Sequence, residues 1–228
     1  MTIDDQQVNT FFQYIDIIKR LMPAKPFVVD VGSCAGWFAI AFDHYFPETT
    51  YTAFDVDSRS GDYYKGVAGD RCQFHNYGIS DYNGENEFYL LADVHRLTEL
   101  GTLVDRNDEN QPMAWKKMHK IPIRRLDTIF ETGYIDFLKI DAEKSDYKVV
   151  LGAEKILREK RASVAMFETL DLTPDYYEAV ELANECGYLF NPHVGGMSGL
   201  NNLLIEKSLW QKGNVSLEKA QTVSSIIR

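Results

Sequence analysis

Four short apolar segments of this chain carry an acidic residue at or beside their carboxyl end, and this pattern constrains the fold more than any other feature. The acidic residues are Asp30, Asp55, Asp141 and Glu168. The segments are rich in β-branched residues and alternate with helical segments, which is typical of βαβ units in a parallel sheet. Ligands of such sheets bind beyond the carboxyl ends of the strands. A single carboxylate there is unremarkable, but four along one edge predict a functional site.

The apolar periodicity predicts an α/β domain of Rossmann-like architecture, with a mostly parallel central sheet flanked by helices. Thr173 and Pro174 are suited to begin a helix, and Gly187 is suited to follow its end. The predicted helices span residues 8–22, 35–46, 145–158 and 173–186. The predicted strands span residues 27–31, 51–55, 72–77, 120–126, 135–140, 161–167, 188–191 and 202–206.

An insertion after the third strand interrupts the alternation, at about residues 82–124. Asn83-Gly84 is a strong hairpin signal, and Phe88 and Leu90 alternate after it. We therefore expect an antiparallel insertion, with a polar loop at 104–114.

The chain as a whole predicts one domain over residues 1–228. It comprises an N-terminal helix (1–26), a core (27–206) and a weakly patterned tail (207–228). The lack of substantial linkers favours a self-contained unit. The polar, acidic N-terminus does not resemble a signal peptide, and no apolar stretch is long enough to span a bilayer.

Charge and cysteine usage exclude several classes of partner. The formal net charge is −10, which argues against nucleic acid and against an anionic membrane surface. Cys34, Cys72 and Cys186 lie far apart and suggest no disulfide framework, so we expect a reduced, cytoplasmic protein. The oligomeric state is not predicted.

The first strand leads into a glycine-containing turn with the pattern Asp30-x-Gly32-x-x-x-Gly36. Gly32 permits a tight turn close to a ligand, and Gly36 permits close packing of the following helix on the strand. Asp55 follows the second strand, where an acidic side chain accepts hydrogen bonds from ribose hydroxyls. The dinucleotide pattern G-x-G-x-x-G is incomplete, which favours S-adenosylmethionine (SAM) over NAD.

The order of these motifs resembles the FkbM family of SAM-dependent methyltransferases. The resemblance runs from about Phe27 to Leu170, and more weakly to about Ile205. It implies a class I methyltransferase fold, SAM as cofactor and S-adenosylhomocysteine as product. It also implies a small-molecule or glycan acceptor, with O-methylation of hydroxyls such as those of sugars or polyketides. The segments that carry it are VVDVGSCAGWFAIAF, YTAFDVD, FHNYGISDYNGENEFY, RRLDTIF, IDFLKIDAEKSDYKVVLGAEKIL and VAMFETL.

The chain departs from the family pattern at three places. Asp55-Val56-Asp57 stands where the family has Glu-Pro-Asp, Lys144 replaces a glycine, and Asp146 replaces a glutamate. The last two departures concern the substrate side more than the cofactor side.

The resemblance also implies a role for each matching residue. Gly32 and Ser33 are expected at the methionine part of SAM, with Asp30 behind them, and Asp55 at the ribose. Asp141 and Glu143 are expected to face the methyl-transfer centre. The residues expected beside the adenine are Val56, Asp57, Gly78, Ile79 and Ser80.

Methyl transfer to an alcohol needs a base, and five residues are candidates. They are Asp141, Glu143, Lys144, Glu168 and His193. We favour Asp141, because it follows a central strand where cofactor and acceptor would meet. Its alternative interpretation is a structural N-cap of the next helix.

A metal-assisted mechanism is a further possibility. Asp141-x-x-Lys144 resembles the arrangement in catechol-type O-methyltransferases, in which a lysine base follows a metal-bound aspartate. Asp141 and Glu168 would then be oxygen ligands for Mg²⁺. The alternative for Lys144 is a solvated residue in the first turn of a surface helix.

Other functions stay open from the sequence. A non-catalytic SAM-binding or interaction module is compatible with the altered Lys144 and Asp146. An NAD-dependent oxidoreductase would need the missing glycine and a clear proton donor. An N-methyltransferase is also compatible, although its Asn/Asp-Pro-Pro-Tyr/Phe signature is missing.

Overall fold

The central feature of the fold is a mostly parallel sheet that places the carboxyl ends of two central strands, Phe27–Val31 and Ile135–Ile140, side by side. The computed structural model describes residues 8, 11–12, 15–16, 18–91, 102–103, 115–168, 172–191 and 201–212. Within these residues, seven strands form a sheet of order β3-β2-β1-β7-β8-β10-β9. Its strands are β1 (Phe27–Val31), β2 (Thr50–Phe54), β3 (Cys72–His75), β7 (Ile135–Ile140), β8 (Ala162–Glu168), β9 (Tyr188–Asn191) and β10 (Asn201–Glu206).

The strand order reverses between β1 and β7. The chain runs outward from β1 through β2 to β3, and then returns to pair β7 with the other side of β1. All these pairs are parallel, whereas β10 is antiparallel to β8 and β9. Such a reversal is the switch point where open α/β sheets bind ligands. The predicted fold class is therefore confirmed.

Helices cover both faces of this sheet, as the apolar strands require. Neighbouring residues of one strand face opposite cores: Val28 packs with Phe137 on one face, and Val29 packs with Leu138 on the other. Burial of both faces explains why the strands are continuous apolar runs rather than alternating ones. The helices are α1 (Trp37–Tyr45), α2 (Ser60–Ala68), α3 (Leu126–Ile129), α4 (Asp146–Leu151), α5 (Glu154–Arg158), α6 (Pro174–Glu185) and α7 (Lys207–Lys212), with 3₁₀ turns at Lys19–Leu21 and Gly69–Arg71.

The N-terminal segment packs on the α1 side of the sheet. Val8, Phe11, Ile15 and Ile18 are helical and buried. Their spacing places one face of the helix against the core around Phe38. The helix predicted over 8–22 gives way to a 3₁₀ turn at Lys19, ahead of Pro23.

The insertion forms a second sheet, which confirms the antiparallel pairing but not the predicted turn. It contains β4 (Gly78–Ile79), β5 (Gly84–Leu91) and β6 (Trp115–Arg124), in the order β4-β6-β5. Gly78 and Gly84 pair with Ile123 from opposite sides, so β4 and β5 are not neighbours. Asn83-Gly84 therefore connects two strands that flank β6, and the expectation of a hairpin turn there is wrong. The loop predicted at 104–114 lies outside the described residues.

The helix predicted over 145–158 is broken into α4 and α5. A Cβ atom at Gly152 would lie 2.1 Å from the carbonyl oxygen of Ser80, so only glycine allows the two segments this close an approach. Helical periodicity does not reveal this contact, because Ser80 belongs to a segment far away in the sequence.

The helices that the structure describes include none with the length and apolar character needed to cross a membrane. The predicted tail begins with α7, and residues 213–228 lie outside the described part of the chain.

Candidate active site at the switch point

Gly32 and Asp141 touch at the switch point, directly after β1 and β7. The backbone of Gly32 is left-handed, with φ of 72°. A Cβ atom on Gly32 would lie 1.7 Å from the carbonyl oxygen of Asp141, and the amide of Asp141 donates to Val31. Both the conformation and the contact require glycine. The turn after β1 and the backbone of the candidate base, Asp141, are therefore in contact.

The turn itself is tied to the end of β2. The amides of Gly32 and Ser33 both donate to the carbonyl of Phe54, at 2.9 and 3.1 Å. Ser33 is 3% exposed, and its hydroxyl has no hydrogen-bond partner in the described part of the chain. Such a buried hydroxyl beside a glycine turn is a group that a ligand can satisfy.

Gly36 has a structural role in the packing of helices. It precedes α1 with φ of 77°, and an added Cβ atom would lie 3.4 Å from the side chains of Tyr64 and Val67. Gly36 therefore faces α2, rather than the strand against which the sequence predicted close packing.

Asp55 organises the edge of the site after β2. Its two carboxylate oxygens accept hydrogen bonds from the amides of Cys34 and Asp57, at 2.7 and 2.8 Å. Burial raises the pKa of Asp55 to about 6, although these amides oppose the shift. The side chain keeps partial exposure, and each carboxylate oxygen has a second lone pair for a further donor.

The residues expected near the adenine are largely engaged by the protein. Asp57 is 5% exposed and forms an ion pair with Arg59 at 2.5 Å. Val56 packs against the small core of the second sheet. Asn76, which the sequence did not single out, donates from its amide nitrogen to the carbonyls of Asp55 and Val56, at 2.8 and 3.0 Å.

Gly78, Ile79 and Ser80 are buried between the two sheets. Ile79 and Ser80 are each 2% exposed. A Cβ atom at Gly78 would lie 2.4 Å from Ile123. All three residues therefore pack against protein in this structure, and their expected position beside an adenine stays a prediction.

Asp30 lies beneath the turn in a fully buried ion pair. Its carboxylate is 3.2 Å from Lys139 Nζ and accepts a hydrogen bond from the Tyr64 hydroxyl at 3.0 Å. Lys139 Nζ also donates to the carbonyl of Gly32 at 2.6 Å and lies 3.5 Å from Asp141. Burial alone would lower the pKa of Lys139, but the charges of Asp30 and Asp141 raise it. Asp30 is fully covered and is linked to the Gly32 turn through Lys139, so it has no exposed atom for direct contact with a ligand.

Three carboxylates converge on the other side of the turn. One oxygen each from Asp141, Glu143 and Glu168 lies within 4.8 Å of the others. Burial, and then the charge of Asp141, raises the pKa of Glu168 to about 8. The same causes raise the pKa of the buried Asp146 to about 7. The three converging oxygens are the donor type that Mg²⁺ prefers, and they offer a proton acceptor and a proton donor side by side.

The loop after β7 has an unusual backbone. Glu143 and Lys144 are both left-handed, with φ of 46° and 74°. The Asp146 carboxylate accepts a hydrogen bond from the amide of Ala142 at 3.0 Å, and Ser145 is the N-cap residue of α4. The alternative interpretation of Asp141 as that N-cap is therefore wrong. Asp141 keeps 37% of its side chain exposed.

The remaining candidate base, His193, lies outside the described residues. The residues that sequence reasoning missed are Lys139, Asn76 and Tyr64. Lys139 had a signal, because it is a lone charge in the otherwise apolar end of a buried strand. Asn76 and Tyr64 had none, since each acts only through contacts with distant segments.

The residues at the turn fit an adenosine-bearing cofactor. Ser33 has a buried hydroxyl without a hydrogen-bond partner among the described residues, Gly32 forms the left-handed turn beside it, and Asp55 presents its carboxylate after β2. A Rossmann-like sheet with these groups at its switch point defines a class I SAM-dependent methyltransferase. The Methyltransferase FkbM domain matches residues 30–190, which is more than half of the chain. The chain therefore belongs to the FkbM family, and the oxidoreductase and non-catalytic alternatives give way to a methyltransferase.

Solved methyltransferase structures resemble this chain at low identity. Precorrin-6y C5,15-methyltransferase from Geobacter metallireducens GS-15 is 9% identical, with 85% of this chain and 87% of that chain covered and a TM-score of 0.45. Monomeric WbdD is 11% identical, with 89% and 41% covered and a TM-score of 0.48. Magnesium protoporphyrin IX methyltransferase from Synechocystis PCC 6803 with bound SAM is 8% identical, with 87% and 76% covered and a TM-score of 0.45. A search of curated protein sequences finds no match to this chain.

Proposed function

We propose that this methyltransferase moves a methyl group to a hydroxyl of a sugar, in a glycan or glycoconjugate, with Asp141 as the general base. The observation that carries the proposal is the position of Asp141: partly exposed, in contact with the Gly32 turn, and within 4.8 Å of Glu143 and Glu168. A base is useful only where cofactor and acceptor meet, and the switch point is that place.

SAM, when bound, supplies an electrophilic methyl group on a sulfonium. The chain's task is to hold the acceptor oxygen in line with that group, at about 3 Å. In this proposal Ser33 and Gly32 hold the methionine part and Asp55 holds the ribose. Lys139 fixes the turn by its bond to the Gly32 carbonyl. Asp141 accepts the proton of the acceptor hydroxyl on a carboxylate oxygen.

The charges around Asp141 favour a neutral polyhydroxyl acceptor over an anionic one. Glu143 lies beside Asp141, and Lys139, the buried cation 3.5 Å from Asp141, is also paired with Asp30. An acceptor bearing a carboxylate or phosphate would meet repulsion between like charges. Neutral hydroxyls donate hydrogen bonds to carboxylates, and Glu168, with its pKa near 8, donates to a sugar oxygen at neutral pH.

The test is transfer of labelled methyl from SAM to a panel of neutral sugars, with acidic sugars and simple amines for comparison. Asp141→Asn should lower kcat by about 10²- to 10⁴-fold, the usual contribution of a general base. Its affinity for S-adenosylhomocysteine should stay within about twofold of the parent. Asp62→Asn, on the exposed side of α2, is the matched control and should leave both values unchanged. Turnover of amines but not of sugars would refute the proposal.

A metal-assisted version is the second candidate, favoured by the convergence of Asp141, Glu143 and Glu168. These oxygens would bind Mg²⁺, and Lys144 would serve as the base. Treatment with EDTA separates the two mechanisms. Activity that survives EDTA excludes the metal, whereas activity lost with EDTA and restored by Mg²⁺ assigns these carboxylates as ligands.

A further inference from the structure

Thr102 links the insertion to the loop after β7. Its backbone pairs with Tyr89 of β5 through two hydrogen bonds, at 2.8 and 3.0 Å, and the residue is 1% exposed. The next residue, Leu103, packs against β4, since a Cβ atom on Gly78 would lie 3.2 Å from it. The backbone of Thr102 therefore anchors this residue to the second sheet, and its side chain makes a contact outside that sheet.

The hydroxyl of Thr102 donates a hydrogen bond to the carbonyl of Glu143 at 2.6 Å. This contact spans 41 residues of sequence and reaches the first of the two left-handed residues in the loop. Left-handed backbone at non-glycine residues persists only where the surroundings hold it in place. A direct bond to the carbonyl of Glu143 is one such restraint.

We propose that Thr102 is a positioning residue for methyl transfer. Its hydroxyl holds the left-handed turn at Glu143 and Lys144, and this turn sets where the carboxylates at the switch point lie relative to the acceptor. The catalytic consequence rests on the proposed function, in which Asp141 and Glu143 face the methyl-transfer centre. The restraint of Thr102 on the loop is independent of the proposed function.

We expect loss of the Thr102 hydroxyl to lower turnover but not cofactor affinity. The cofactor turn is held by bonds to β2 and by Lys139, so loss of the Thr102 hydroxyl should leave S-adenosylhomocysteine affinity within about twofold. Displacement of the carboxylates by about 1 Å should lower kcat by about tenfold to a hundredfold. A residue that merely supported the fold would weaken cofactor binding and thermal stability together.

The experiment compares Thr102→Val, which keeps the shape but removes the donor, with Thr102→Ser, which restores it. Thr128→Val is the matched control, because that hydroxyl also donates to a backbone carbonyl, on the exposed side of helix α3. Hydrogen exchange is measured at the amides of Ala142 and Ser145, which are hydrogen-bonded within the loop. Titration with S-adenosylhomocysteine and kcat on the best sugar acceptor complete the set.

Faster exchange at Ala142 and Ser145 in Thr102→Val alone, with cofactor affinity kept and kcat lowered, supports the proposal. Recovery in Thr102→Ser completes that result. Unchanged exchange overturns the proposal, and so does a joint loss of cofactor affinity and melting temperature. Exchange and cofactor titration need no acceptor, so a failure of the sugar hypothesis is recognised separately, as missing turnover by the parent chain.

Discussion

Replacement of Lys144 by glycine should stabilise the protein relative to replacement by alanine. Lys144 has φ of 74°, a conformation in which any Cβ atom crowds the backbone. The resemblance to the FkbM family places a glycine at this position. Lys144→Ala and Lys144→Gly both lose the lysine side chain, so the difference between these two variants isolates the backbone strain.

The magnitude follows from two opposing contributions. Relief of a left-handed non-glycine residue is worth about 1–2 kcal/mol. Glycine also gives the unfolded chain more freedom, which costs about 0.4–1 kcal/mol relative to alanine. With the middle of each range, the net stabilisation of Lys144→Gly over Lys144→Ala is about 0.8 kcal/mol, or roughly 1.5 minus 0.7. For a chain of this size it raises the melting temperature by about 1–4 °C.

Thermal unfolding followed by circular dichroism, with denaturant titration, measures this difference. Lys160 provides the matched control, since it is also left-handed, with φ of 54°, and lies after α5, away from the switch point. Lys160→Gly should gain a similar stability over Lys160→Ala and leave activity unchanged. Equal melting temperatures for Lys144→Gly and Lys144→Ala would refute the argument from backbone strain.

The same pair of Lys144 variants tests the choice of base. With Asp141 as base, both variants keep measurable turnover, and Lys144→Gly turns over no more slowly than Lys144→Ala. With Lys144 as base, both lose kcat by about 10²-fold or more. Stability and turnover therefore answer separate questions with one set of proteins.

Two further predictions concern the cofactor side. S-adenosylhomocysteine affinity should fall about tenfold between pH 7 and pH 5, because the pKa of Asp55 is raised to about 6 and the ionised form accepts from the ribose. This loss of affinity is not caused by unfolding, since a carboxyl whose folded-state pKa is raised destabilises the fold as the pH rises, not as it falls. Calorimetric titration of Asp55→Asn checks the assignment to Asp55, because its affinity should be weaker than the parent's and independent of pH. Gly32→Ala should abolish cofactor binding, because the new Cβ atom would lie 1.7 Å from the carbonyl oxygen of Asp141. Calorimetric binding by this variant at parental affinity would contradict the close approach, and Gly66→Ala, where an added Cβ atom meets nothing within 4 Å, is its control.

The parallel sheet could be predicted from sequence because its signals are local. Each strand is a run of apolar residues, and each run ends near a carboxylate such as Asp55 or Asp141. Strand polarity then brings these groups to one edge without any knowledge of tertiary contacts. The Thr173-Pro174 start of α6 and the left-handed Gly187 beyond its end are equally local, and the structure has both.

Features set by contacts between distant segments could not be predicted. The break between α4 and α5 depends on the approach of Ser80 to Gly152. The failure of Asn83-Gly84 as a hairpin turn depends on β6, which enters between β4 and β5 from 30 residues or more further along the chain. The contact of Thr102 with Glu143 joins two loops with no shared pattern. The first two contacts override a local signal, and the third has no local signal in the sequence at all.

The two departures from the family pattern after β7, Lys144 and Asp146, both concern the backbone of the loop that follows this strand. Lys144 occupies a left-handed position that suits glycine, and the Asp146 carboxylate is used to bind the amide of Ala142 within the loop. Both residues therefore act on the backbone between Asp141 and α4. The cofactor half of the site is fixed by Gly32, its bonds to β2 and the buried Lys139. The acceptor side of the proposed site depends on the strained loop after β7, which Thr102 of the insertion restrains. We therefore expect differences in acceptor among relatives to arise in this loop and in the segment around Thr102.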